Sequence, residues 1–322
     1  MPKVTWGVLG CANFARKRAI PAMLASPSVD LVGISSRDPV KAEAFRAMFD
    51  LSRAYRSYEE MLEDDRIQAV YIPLPNGLHA EWMIKAARKG KHSLSEKPFA
   101  SNASEAMEVA RVSPERGVYV MEGFMWRYHP QHLRVRTLIR DGAIGRVQLV
   151  RSAFSFMMER KPNVRFSPEL AGGSVMDVGC YPISAARFYF EDEPIRTYAR
   201  GEIDEEFGVD MRMSGILEFR GGRALIDCAF DLPYRTELEI VGDKGIIFVP
   251  KAWQPDPEST IFLNGTAEKL PQENHYIRQF EHFSQCILNR TSPRYGPSDA
   301  IRQMSAIDAV LRSIKSGNAE TV

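Results

Sequence analysis

Five short apolar runs separated by helical patterns limit how the first third of this chain can fold. Val4–Leu9, Leu31–Ser35, Ala69–Ile72, Ser93–Leu94 and Val118–Met121 read as buried strands. Between them, Phe14–Leu24, Val40–Met48, Tyr58–Glu63, Leu78–Lys89 and Ser104–Val112 carry helical periodicity. Strand, helix and strand in regular succession demand crossover connections, and so a parallel sheet covered on both faces. Gly90 closes a helix whose last turn is basic (Lys85, Arg88, Lys89), as a helix stop should.

The texture changes after about Glu122. "PQHLRVRTLIRDGAIG" reads as one helix stopped at Gly142. Longer runs with period-two alternation follow at Val147–Met157, Met211–Phe219, Ala224–Leu232, Leu238–Val241 and Gly245–Val249. "FRGGRA" and "VGDKG" between them are hairpin turns. The expected class is therefore α/β: a doubly wound parallel sheet over residues 1–122, then an α+β domain over 123–322 built on a large, mostly antiparallel sheet. Asn274–Ile287 and Ser298–Lys315 end the chain as helices.

Bulk numbers narrow the partners. The 322 residues carry 42 basic and 41 acidic side chains, a net charge of +1, which gives no reason to expect nucleic acid or an anionic membrane. No apolar run approaches the ~18 residues that a bilayer span needs. Cys11, Cys180, Cys228 and Cys286 are widely spaced and form no CxxC pair, so neither a metal site nor a disulfide framework is expected. A reducing cytoplasm is the simplest setting for them, and the N-terminus lacks the apolar core of a signal peptide.

"GVLGCANFA" after the first strand resembles the dinucleotide fingerprint G-x-G-x-x-G/A. Gly10 takes the tight-turn place, Ala12 stands where a second glycine is usual, and Ala15 takes the close-packing place. With Asn13 and Phe14 they would bring backbone N–H groups at a helix start to a pyrophosphate. The second strand ends at Ser36 and Arg37, where an NAD-binding fold often has an acid. A hydroxyl and a guanidinium suit a 2′-phosphate, and Asp38 reads as the cap of the helix at Pro39. The expected cofactor is NADP(H), with NAD(H) second. "YIPLPNGLHAEW" puts Pro73, Leu74, Pro75 and Asn76 in a stiff loop at the ligand edge of the sheet, with Asn76 as a helix cap. His79 follows in the first turn, as either a cofactor contact or a packing histidine. "LSEKPFA" lies one strand further along the same edge, so Glu96 and Lys97 are expected to face the nicotinamide end of a dinucleotide, with Pro98 restricting Lys97.

The glycine turn, "PLPNGLHAEW", "EKP", "MEGFMWRYHPQH" and "GGSVMDVGCYP", in that order, resemble the Gfo/Idh/MocA family of oxidoreductases. Within it they resemble a subgroup of NADP-dependent xylose and glucose dehydrogenases, dihydrodiol dehydrogenases, glucose–fructose oxidoreductase and sugar 3-ketoreductases, in which the Ala12 departure also occurs. The resemblance implies a Rossmann domain followed by a domain with an open sheet, a sugar as substrate, and a homo-oligomer (dimer or tetramer) paired through that sheet. It places the catalytic set on Lys97, Asp177 and Tyr181; tyrosine at the last position argues against an inositol-dehydrogenase-like enzyme. It also brings Arg165 to the cofactor or the cleft.

On this reading Tyr181 takes the proton of a sugar hydroxyl while Lys97 stabilises the oxyanion, or Lys97 makes the direct transfer, and Asp177 orients the substrate. Asp177 and Tyr181, four apart, share a helix face, and Gly172 and Gly173 before them would let the backbone pass close to a ligand. Trp126, Arg127 and Tyr128, at the domain junction, either meet cofactor and sugar or pack between domains. Phe156 and Tyr234 are candidates for lining the substrate pocket. Oxidation of an aromatic trans-dihydrodiol and a nucleotide-binding regulator without turnover are the rival functions.

Overall fold

The computed structural model describes residues 2–255 and 259–322. The chain forms two compact units. One runs to Met125 and takes in Asn274–Ile301; the other covers Trp126–Glu273 and Arg302–Val322.

The first unit is built on β1 (Val4–Leu9), α1 (Ile20–Ala25, after a π-helical turn Ala15–Ala19), β2 (Val29–Ser35), α2 (Pro39–Met48), β3 (Arg53–Tyr55) and α3 (Tyr58–Leu62). It continues with β4 (Ala69–Ile72), α4 (His79–Arg88), β5 (His92–Glu96), α5 (Ala103–Glu115) and β6 (Val120–Gly123). The strands form a parallel sheet in the order β3-β2-β1-β4-β5-β6. That is the doubly wound order, whose switch point lies between β1 and β4. Val4, Trp6, Val8 and Leu9 of β1 are fully buried, as a strand covered on both faces requires.

In the second unit α6 (Pro130–Arg140) stops at Gly142, which takes φ +79°. It is followed by β7 (Val147–Ser155) and α7 (Cys180–Phe190, after a π-helical turn Val175–Gly179). Then come β8 (Arg196–Ile203), β9 (Asp210–Phe219), β10 (Gly222–Ala229), β11 (Leu238–Gly242), β12 (Ile246–Val249), β13 (Ser259–Leu263) and β14 (Thr266–Leu270). The chain ends with α8 (His275–Asn289), α9 (Pro297–Ser316) and β15 (Glu320–Thr321). Among the described residues the sheet order is β14-β13-β12-β11-β7-β10-β9-β8-β15. Its pairs are antiparallel except β7 with β10. Both expected hairpins form, Phe219 pairing with Gly222 and Val241 with Ile246. α7 lies against β7, β9 and β10 with Cys180–Tyr189 all buried, so this helix is core on every side.

The expected division at residue 122 needs two corrections. The break falls after Met125, and Asn274–Ile301 returns to the first unit. The reason is apolar packing by α8: Phe280 meets the rings of Trp6 and Tyr71 at 5.7 and 5.3 Å, and Phe283 meets Trp6 at 5.7 Å. Trp6 also donates to Ser284 at 3.2 Å.

Candidate active site

At the switch point, Gly10 adopts φ +122°, a conformation that disfavours side chains, and donates to the Ser35 carbonyl at 2.9 Å. A Cβ on Gly10 would stand 2.8 Å from Leu74, so the loop after β4 closes over the turn after β1. Ala15 is fully buried in the close-packing place. Ala12 is half-buried and Asn13 exposed, with Asn13 Oδ1 accepting from Arg16 Nη2 at 2.9 Å. Phe14 packs edge-on against Tyr276 of α8.

The end of β2 tests the choice of nucleotide. Asp38 turns its carboxylate onto α2, accepting from the N–H groups of Val40 and Lys41 at 3.0 and 3.2 Å. Ser36 accepts from the Asp38 N–H at 3.1 Å, and Arg37 is exposed. With the acid engaged as a helix cap and a guanidinium at the strand tip, these residues fit a 2′-phosphate better than a bare ribose hydroxyl.

In the loop after β4, Pro73 is buried and Leu74, Pro75 and Asn76 are half-buried. Asn76 opens a 3₁₀ turn, Asn76–Leu78, and the cap position of α4 falls on Leu78 instead. His79 is fully buried, its Nδ1 2.7 Å from the Pro98 carbonyl and its Nε2 2.8 Å from the Leu74 carbonyl. Burial pulls its pKa below the ordinary imidazole range. Both ring nitrogens face backbone, and His79 ties the β4 loop to the turn after β5. Glu96 ends β5 and accepts from the Tyr71 hydroxyl of β4 at 2.6 Å. Lys97 follows half-buried, joined to Pro98 by a cis peptide bond.

In the second unit Asp177 lies in the π-helical turn and Tyr181 in the first turn of α7; both are buried. Arg165 Nε donates to Asp177 Oδ2 at 2.6 Å. The guanidinium pKa is raised, chiefly by the charge of Asp177 and also by that of ionised Tyr181. Phe154 of β7 and Trp253 pack on the Tyr181 ring at 5.1 and 5.4 Å. The two glycines ahead of the motif make room for protein. A Cβ on Gly172 would lie 2.5 Å from the Arg165 carbonyl, and one on Gly173 (φ +105°) 2.2 Å from the Asp210 carboxylate. Asp210 anchors the turn by accepting from Ser174 Oγ and the Val175 N–H at 2.6 and 2.7 Å.

Other expected residues are placed differently. Trp126 is fully buried within the second unit, edge-on to His132, Phe188 and Trp253. Arg127 is buried and donates to Ser184 of α7 at 2.8 Å. Tyr128 is buried too. Within the second unit Trp126 thus belongs to an aromatic cluster and Arg127 is tied to α7. Phe156 is half-buried against Phe230, and Tyr234 is 60% exposed. Sequence reasoning missed Asp210 and Ser174, whose pairing spans 36 residues and leaves no local signal. It also missed Trp253.

A 3-2-1-4-5-6 parallel sheet with a glycine turn at its switch point defines a dinucleotide-binding α/β protein. The chain belongs to the GFO/IDH/MocA oxidoreductase family: residues 4–124 match its NAD-binding Rossmann fold and residues 132–248 its C-terminal domain. It is similar to D-xylose 1-dehydrogenase (NADP(+)) 2 of Haloferax volcanii, 38% identical over 98% of both chains. Among solved structures it is similar to a 3-ketoreductase from Actinomadura kijaniata in complex with NADP and TDP-benzene. That likeness has TM-score 0.91 and 30% identity, over 97% of this chain and 98% of the other. It is also similar to an aldose-aldose oxidoreductase from Caulobacter crescentus complexed with glycerol, with TM-score 0.93 and 25% identity over 99% and 100%. Among the described residues no helix is long and apolar enough to cross a membrane.

Proposed function

We propose that the protein transfers a hydride between NADP(H) and the carbon of a sugar hydroxyl or carbonyl, as an aldose 1-dehydrogenase of the D-xylose type or a ketosugar reductase. The observation that carries this is the motif at the head of α7, where a buried Tyr181 follows an Asp177 clamped by Arg165. The relatives' names support the substrate class and the cofactor. Bound NADP supplies the hydride acceptor. Tyr181 takes the hydroxyl proton, Asp177 orients the sugar by hydrogen bonds, and Lys97 stabilises the negative charge growing on the same oxygen. Gly10, Ala12, Asn13 and Phe14 receive the pyrophosphate, Arg37 and Ser36 the 2′-phosphate.

Nicotinamide absorbance against a panel of aldoses, ketosugars and a trans-dihydrodiol tests the assignment. Turnover of sugars is expected; turnover of the diol alone, or of nothing, defeats it. Tyr181→Phe should lower kcat by roughly 10²- to 10⁴-fold. Lys97→Ala should do the same while still binding NADP(H), and the double variant should lose no more than the worse single one. Near-normal turnover in either single variant would remove that residue from the mechanism.

We also propose that the open face of the second unit's sheet pairs with another copy of the chain. Tyr198 (41% exposed) and Leu225 (39%) lie there between ion pairs such as Arg235–Asp227 and Arg151–Glu239, a mixed surface suited to self-association. Leu225→Arg should shift sedimentation to the monomer; a sedimentation coefficient unchanged by it counts against the pairing.

A further inference from the structure

Arg165 is engaged with the head of α7 by both its side chain and its backbone. Its Nε donates to Asp177 at 2.6 Å, and its backbone is fixed as firmly as its side chain. The carbonyl accepts from the Gly173 N–H at 2.9 Å, and the Gly172 N–H bonds Ser167 O at 2.9 Å. The next residue, Phe166, is buried, stacked on Phe207 at 4.6 Å and edge-on to Phe230 at 6.0 Å. Residues 165–173 thus fold back on the head of α7, and only glycine at 172 allows the approach.

We propose that Arg165 is a positioning residue for the Asp177–Tyr181 pair: it holds the Asp177 carboxylate and sets a permanent positive charge on the side of the helix that both residues share. This rests on the assignment of Tyr181 as the proton-transferring group. Electrostatic coupling is mutual, so a guanidinium stabilised by the ionised phenol stabilises that phenol in return. Asp177 alone would oppose ionisation of Tyr181; the pair with Arg165 cancels that opposition. Of the other titratable groups at this helix start, Asp210 is bonded to Ser174 and Val175, Cys180 Sγ donates to the Asp177 carbonyl at 3.5 Å, and Cys228 Sγ lies 3.4 Å from Ser174 Oγ.

Arg165→Met removes the charge and Arg165→Lys keeps it. In the Met variant kcat should fall roughly 10- to 100-fold, and the acid limb of the kcat/KM pH profile for oxidation should move up by about one pH unit. The Lys variant should stay within a few-fold of the parent and keep its pH limb. Adding Asp177→Asn to Arg165→Met should bring Tyr181 ionisation back toward the parent. That ionisation is read without turnover, by tyrosinate absorbance differenced against Tyr181→Phe. NADP(H) affinity, followed by nucleotide fluorescence, should be unchanged. A tenfold loss of NADP(H) affinity with an unmoved limb would make Arg165 a cofactor contact and overturn the proposal. An unmoved limb and tyrosinate titration, with only a lower melting temperature, would reduce it to a structural tie. If Arg165→Met does not fold, Arg165→Gln carries the same measurements. If Tyr181→Phe keeps its turnover, the underlying assignment fails, while the absorbance titration still reports whether Arg165 acts on Tyr181.

Discussion

Asp210 and Asp177 are two buried carboxylates at the head of one helix, handled in opposite ways. Asp177 is given a guanidinium; Asp210 is given a hydroxyl and a backbone N–H, and burial raises its pKa from 3.8 to about 6 despite those bonds. A folded-state value above the unfolded one means that the native state binds the proton more tightly. Its stabilising contribution is complete below 3.8, fades as pH rises through about 6, and is gone above that. Asp210→Asn cannot titrate, so the gap in melting temperature between parent and variant should change by several degrees between pH 4 and pH 7, in favour of the variant at the higher pH. A gap independent of pH would show that Asp210 is not titrating there. At the tip of β2, Arg37→Ala should weaken NADPH by roughly 10- to 100-fold and NADH far less, as loss of a charged hydrogen bond requires. Equal losses in a binding titration would count against a 2′-phosphate contact.

Among the elements, α8 has the largest consequence for its small part in the sequence pattern. Phe280 is fully buried against Trp6 and Tyr71, so Phe280→Ala should cost about 3–5 kcal/mol. In a thermal melt that is a drop of roughly 10 °C for the first unit; a drop of a degree or two would mean that α8 is not part of its core. The helix was legible as a helix, but its allegiance was not, because periodicity reports a buried stripe without naming its partner. β1 and β4 were read to the residue, since strands covered on both faces announce themselves as largely apolar runs. β3, three residues long, and β8 were not. The buried positions of β8 are Thr197 and Ala199, too small and polar to show a hydrophobic alternation. The family was legible because its motifs follow one another along the chain in a distinctive order. Trp126 and Arg127 stand at a junction in sequence, where contact with cofactor or sugar and packing between domains look alike; the sequence held no sign that Trp126 joins the rings of His132 and Trp253. The clamp of Arg165 on Asp177 had no signature, because any exposed arginine looks alike in one dimension.

At the scale of the whole molecule, a net charge of +1 sets no long-range field to steer a charged macromolecule, which leaves recognition to local chemistry in each unit. The first unit is discontinuous: its sheet lies within the first 125 residues, while the helix that covers Trp6 and Tyr71 begins roughly 150 residues later. A ribosome adding about 5–20 residues per second therefore carries the nucleotide-binding half unfinished for roughly 10–30 seconds, its indole and phenol faces bare. During that interval the growing polypeptide is a client for whatever holds apolar surface in the cell, and a nascent chain stalled before His275 should be cut by protease where one stalled beyond Asn289 resists.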